Sequence, residues 1–186
     1  TDGPFHAALI ANATPGDLRF LEQQNLSIPV VLYNRFSEQF SSVNLDDNRI
    51  GELAAVHLAD KGYSRPLVIG SHSSFPGATK RRHAFVGTML DRSIPMSAQE
   101  LFYVENSVEG GYRFAAENLP LFQEKGVDSF FCDSDAIALG MQSAFTTKGI
   151  AIPEQFGIIA VGNGEPKYAK YSSPSLSVID IPMQQM

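Results

Sequence analysis

Cysteine is nearly absent from this 186-residue sequence: Cys132 is the only one, so no internal disulfide can form. It sits in the apolar run Ser129-Phe130-Phe131-Cys132, which reads as a small buried hydrophobe in a reducing cytoplasm. No apolar run approaches the roughly 18 residues a membrane span needs, and the longest are strand-sized. The first residues, Thr1-Asp2-Gly3-Pro4-Phe5-His6, carry neither the basic start nor the apolar block of a signal peptide. Positive charge is scarce as well. The net charge is −6 and the one basic cluster is Lys80-Arg81-Arg82, too little to neutralise a row of phosphates, so this stretch does not read as a nucleic-acid surface.

Catalytic signatures are missing too. Gly70 and Gly77 have six residues between them and are followed by Ala78-Thr79, which does not fit a phosphate-binding Walker loop. There is no GxGxxG after a strand, no GxSxG elbow and no HExxH, and the histidines His6, His57, His72 and His83 show no metal-ligand spacing. His57 falls on an apolar helix face and reads as a core histidine. Asp133-Ser134-Asp135 has the form of a metal-binding DxD, but a helix starts there. Capping of its free N–H groups by Ser134 or Asp135, or lining of a cleft, accounts for the pattern without a metal. The chain reads as a binder rather than an enzyme, with no cofactor and no metal site.

What is present is an alternation of short apolar runs with longer amphipathic ones. Strands are expected at His6–Ile10, Pro29–Tyr33, Pro66–Gly70, Leu101–Val104, Val127–Cys132, Phe156–Val161 and Leu176–Ile179. Helices are expected at Gly16–Gln24, Asp47–Lys61, Ala78–Asp91, Glu109–Lys125 (perturbed at Pro120) and Asp135–Lys148. The clearest helix places Ile50, Leu53, Ala54, His57 and Leu58 on one face, with Gly62 at its C-terminal stop. Strands alternating with helices of this length predict an α/β fold with parallel sheets and right-handed crossovers. Ligands of such sheets bind outside the carboxyl ends of the strands. Attention therefore falls on the loops 34–35, 71–77, 105–108, 133–135 and 162–167, which are rich in Ser, Asn, Asp, Glu and Arg.

Several phrases, in order, resemble the LacI/GalR family of bacterial transcription regulators and its periplasmic-binding-protein fold. Ile28-Pro29-Val30-Val31-Leu32-Tyr33-Asn34-Arg35 is similar to the family's iPvVl-x-nR. Val43-Asn44-Leu45-Asp46-Asp47, then Gly51, Ala54, His57-Leu58 and Gly62-Tyr63, is similar to its V-x-x-D-N…G…A…HL…GH. Arg81 to Phe85 stands where the family has R…GF, and Glu109-Gly110-Gly111-Tyr112 resembles its sGy. Phe131 to Gly140 is similar to iFaxnDxiAlG, Lys148 to Glu154 to GirvPeD, and Pro174 to Ile179 to PpLTTI.

The resemblance implies two Rossmann-like lobes with an effector between them. Residues 1–62 would be part of the N-terminal lobe, 63–179 the C-terminal lobe and 180–186 the start of a return to the first. The helix-turn-helix head would be absent and the fold truncated at both ends. It further implies a cytoplasmic homodimer that meets operator DNA only through that head and no membrane. Its small-molecule effector, sugar-like by the same analogy, changes lobe orientation and thereby the spacing of the DNA heads.

Residue by residue, Asp46 matches a cleft-facing acid, or else an N-cap for the following helix. Arg81 matches the ligand-contacting arginine, or else a solvated helix charge, with Arg82 the substitute if the register slips by one. Ser134 and Asp135 match the second-lobe pair, Ser134 as ligand contact and Asp135 as cap. Asn106 stands where relatives place a stacking aromatic. The family's GYDD-like segment is Gly162-Asn163-Gly164-Glu165 here, so its aspartate aligns with a glycine and Asn163 or Glu165 is left to serve. A periplasmic sugar-binding protein of a transporter, and a metal-dependent sugar or nucleotide enzyme using Asp133 and Asp135, are the competing readings.

Overall fold

Strands with apolar residues on both faces need cover on both faces, and three described segments have that character: Pro66–Ser71, Ser129–Cys132 and Gly157–Gly162, each buried along its whole length. In the computed structural model, residues 5–72, 76–97, 100–162 and 166–181 are described. They form two compact units, which divide between Asp46 and Asp47.

The first unit holds β1 (Ala8–Ala11), α1 (Pro15–Glu22), β2 (Val30–Tyr33) and β3 (Ser41–Val43), with strand order β1-β2-β3, all parallel. Thr14 starts α1 with a capping box: its hydroxyl accepts from the Asp17 N–H at 3.2 Å, and the Asp17 carboxylate accepts from the Thr14 N–H at 2.8 Å. β3 is short and polar, and joins the sheet by backbone pairing with β2.

The second unit runs α2 (Asp47–Asp60), β4 (Pro66–Ser71), α3 (Pro76–Asp91), β5 (Leu101–Val104), α4 (Val108–Glu124), β6 (Ser129–Cys132), α5 (Asp135–Thr147), β7 (Gly157–Gly162), α6 (Pro166–Tyr171) and β8 (Ser177–Asp180). Its five parallel strands lie in the order β5-β4-β6-β7-β8. The chain first builds outward from β4 to β5, then returns to the other side of β4 with β6. The pair β4/β6 is therefore the switch point of the sheet, where the loops leave in opposite directions.

Neighbouring residues of β6 face opposite sides of the sheet and define two cores. Phe130 packs with Phe122 of α4, Phe145 of α5 and Phe156, at ring-centroid distances of 5.1, 5.5 and 5.3 Å. Phe131 stacks on Phe85 of α3 at 4.7 Å on the other side. All but Phe156, which is nearly buried, are fully buried, each worth about 1.5–3 kcal/mol in apolar transfer.

Helix α2 buries Ile50, Gly51, Ala54, Ala55 and Leu58. Where it crosses α3, a Cβ on Gly51 would lie 2.0 Å from the Arg81 carbonyl oxygen, so only glycine permits the approach. This packing assigns α2 to the second unit, whereas the sequence reading closed the first lobe at residue 62. His57, expected in the core, is exposed, as Leu53 is in part: the buried stripe is narrower than the apolar periodicity suggests. α4 continues through Pro120. The glycines expected to stop α2 and α5 do so in left-handed conformation, Gly62 at φ 87° and Gly149 at φ 72°.

Candidate functional site

The strand switch carries a cluster of four buried charges, all in the second unit. Asp133, the residue after β6, has its backbone N–H bonded to the Ile69 carbonyl of β4 at 2.9 Å, which fixes it at the β4/β6 junction. Its Oδ2 accepts from Arg82 Nη1. Arg82 is held further by the Thr79 hydroxyl at 3.1 Å and lies over the ring of Tyr103, 5.4 Å from its centroid. One residue earlier on α3, Arg81 Nε donates to Asp47 Oδ1 at the start of α2, at 2.7 Å. Arg81, Arg82, Asp47 and Asp133 are 2%, 4%, 7% and 7% exposed.

Gly70 makes room for the Arg82–Asp133 pair. A Cβ there would stand 3.1 Å from both Arg82 Nη1 and Asp133 Oδ2, and 3.3 Å from Tyr103. Asp133 Oδ1 is buried without a hydrogen-bond partner. Burial pushes the Asp133 carboxyl above the ordinary aspartate value, opposed by the charge and hydrogen bond of Arg82, by the charge of Arg81 and by the Ser71 backbone N–H. Arg81 and Asp133 therefore feel one another, and the two pairs form one cluster of zero net charge.

Around it stand further polar groups of the strand ends. Ser71 ends β4 and is buried, His72 follows it, and exposed Tyr103 of β5 stacks loosely with the His72 ring, centroids 6.4 Å apart and planes 26° from parallel. Ser134 is the N-cap of α5, accepting from the Ala136 N–H at 3.2 Å, and Asp135 Oδ1 accepts from the same N–H at 2.9 Å. Both side chains thus cap the start of α5, with Ser134 buried and Asp135 half-buried.

Of the residues singled out from the sequence, Arg81 and Ser134 lie buried in this unit, and Asp135 is half-buried beside Ser134. Arg81 is not a solvated helix charge. Asn106 is exposed in the loop after β5. Asp46 is exposed, belongs to the first unit and immediately precedes α2. Asn163 and Glu165 lie outside the described residues. Sequence reasoning missed Asp47 and Tyr103, and it weighed Asp133 only as half of a DxD motif. Among the described residues no group of three or more His, Cys, Asp and Glu side chains is placed to hold a metal ion. The grooves found elsewhere, such as one of about 240 Å³ lined by Gln142, Thr146 and Ser172, share no lining residue with the cluster.

A buried charge cluster at the switch point of a parallel sheet stands where α/β domains of this kind bind their ligands. Comparison with known proteins agrees. The profile of the periplasmic binding protein-like domain matches residues 55–186. The HTH-type transcriptional repressor PurR of Vibrio atlanticus is 26% identical over 172 residues, 91% of this chain and 50% of that protein. PurR of Actinobacillus pleuropneumoniae serotype 3 is 30% identical over 155 residues, 82% of this chain and 45% of that protein. The chain thus spans about half the length of the curated relatives it matches.

Among solved structures, a LacI family transcription regulator from Clostridium acetobutylicum superposes with a TM-score of 0.90 at 34% identity, covering 97% of this chain and 66% of that one. A LacI family regulator from Enterococcus faecium, solved with bound ribose, shares the fold at a TM-score of 0.79 and 24% identity, over 97% of this chain and 66% of that one. The chain belongs to the periplasmic binding protein-like domain family, in the form of the effector-binding core of LacI-family regulators.

Proposed function

We propose that this chain senses a small polar metabolite at the strand ends of its second unit and relays its presence to operator DNA through a head outside this sequence. The observation that carries the reading is the buried charge cluster at the β4/β6 switch, with Ser134 beside it, in a chain related to repressors. Arg81, Asn106, Ser134 and Asp135 are the proposed effector contacts of this unit, with Asp46, Asn163 and Glu165 as further candidates from the sequence alone. The protein acts as a cytoplasmic homodimer and performs no catalysis. The physical requirement is differential affinity: the effector shifts the operator-binding equilibrium only by as much as it prefers one conformation over another.

The test is thermal-shift screening against sugars, sugar phosphates, nucleobases and amino acids, with Ser134→Ala alongside. A ligand at about 100 times its dissociation constant stabilises by about 2.7 kcal/mol. A shift that is lost in Ser134→Ala supports the reading. Turnover of any panel member, or a folded protein that responds to none, counts against it.

A further inference from the structure

We infer that Arg82 and Asp133 are positioning residues: their buried ion pair braces α3 to the β6–α5 junction and so presets Arg81 and Ser134, the proposed effector contacts next to them in sequence. The inference rests on the sensing function proposed above, and it gives Arg82 a role other than touching the effector.

Each partner is fixed at more than one point. The Asp133 backbone N–H donates to the Ile69 carbonyl of β4 at 2.9 Å, and its Oδ2 accepts from Arg82 Nη1. Arg82 Nη2 donates to the Thr79 hydroxyl, nearly one turn earlier on α3, at 3.1 Å, and the guanidinium lies over the Tyr103 ring of β5. The ends of β4, β5 and β6 and the helix α3 thus meet at one pair. Gly70 of β4 leaves it room, since a Cβ there would press on Arg82 Nη1 and Asp133 Oδ2 together, 3.1 Å from each.

Stability alone does not account for such a pair. Taking two charges out of water offsets much of their attraction, and packed apolar residues would hold the junction about as well. What apolar residues lack is direction, whereas a charge-assisted hydrogen bond fixes both distance and orientation. Arg81 precedes Arg82 on α3, and Ser134 follows Asp133 at the start of α5, so a shift of the pair reaches each contact through a single peptide link. Contacts set in advance leave less to be ordered when an effector arrives.

The probes are D-ribose, glucose 6-phosphate, adenine and L-glutamate, titrated by calorimetry into wild type, Arg82→Met/Asp133→Leu, Ser134→Ala and the triple variant, each checked for its fold by circular dichroism. The expected result is that Arg82→Met/Asp133→Leu keeps its fold but raises the Kd of whichever probe wild type binds by roughly tenfold, because fewer molecules hold both contacts in place. The rise is clearly smaller when Ser134 is already alanine, since the brace then has one contact fewer to preset. A folded double variant with an unchanged Kd overturns the inference. Equal rises in both backgrounds overturn it as well, because the pair then acts independently of Ser134. Should the double variant fail to fold, hydrogen exchange of wild type decides. The Asp133 and Ala136 amides are expected to be as protected before a bound probe is added as after, and a large gain in protection on binding overturns the inference while the sensing function stands. A folded wild type that binds none of the four overturns both.

Discussion

The carbonyl oxygen of Val108 stands 2.0 Å from the point a Cβ on Gly140 would occupy, so α4 and α5 touch backbone to backbone. The contact is reciprocal: a Cβ on Gly111 would lie 2.1 Å from the carbonyl oxygen of Ile137. Neither obstacle is a side chain that can swing aside. Gly140→Ala therefore destabilises by about 3 kcal/mol, at the upper end of ordinary overpacking. Gly87→Ala in α3, where nothing lies within 4 Å, stabilises by about 0.5–1 kcal/mol by removing helix-interior glycine. Urea denaturation of the two variants checks both signs.

Arg82 and Asp133 depend on each other. Arg82→Ala leaves a buried carboxylate without its cation and costs about 3–5 kcal/mol. Replacing both partners by apolar residues, Arg82→Met with Asp133→Leu, costs much less than the sum of the single changes, because no uncompensated charge is left behind. A double-mutant cycle in denaturant measures the coupling, and additive costs would show that the pair does not act as a unit.

The Asp133 carboxyl has a folded-state pKa above its unfolded value, because burial outweighs its arginine partners. Its contribution to stability is fully present below the unfolded value, about 3.9, and is lost as pH rises through the higher folded value. Asp133→Asn has no such proton to lose. The stability difference between this variant and wild type therefore moves in the variant's favour as pH rises from about 4, and denaturation at a series of pH values reads it. A difference that moves the other way would mean that Arg82 lowers the carboxyl more than burial raises it.

Cys132 is fully buried, its Sγ 3.7 Å from Met141 Sδ, and burial together with the neighbouring Asp133 charge holds the thiol far from ionisation. An aromatic disulfide reagent is expected to leave it unmodified in the native protein and to react promptly in guanidinium, since only the thiolate attacks. The native-state labelling rate then reports opening of the β6 core.

Much of the architecture was legible because periodicity and punctuation are local. The edges of β5 and the N-terminus of α2 stand where the pattern places them, and Gly62 and Gly149 end their helices. β3 was not legible: Ser41-Ser42-Val43 has no apolar alternation and becomes a strand only because β2 offers it a backbone edge. α6, six residues opened by Pro166, is too short for any periodicity to register. His57 was misread because amphipathic spacing reports a face, whereas the width of the buried stripe depends on how closely the neighbouring helix approaches.

The candidate site divides the same way. Local sequence was enough to mark Ser134 and Asp135 as a helix start and to carry the family resemblance, and it was the resemblance that singled out Arg81. Tertiary structure alone decided that Arg82 meets Asp133 across 51 residues and Arg81 meets Asp47 across 34. Residue spacing carries local conformation, because backbone hydrogen bonds and helix faces repeat over a few positions. Which charge neutralises which depends on the sheet order β5-β4-β6, which brings the end of β6 beside β4 and under α3. No local pattern encodes that adjacency.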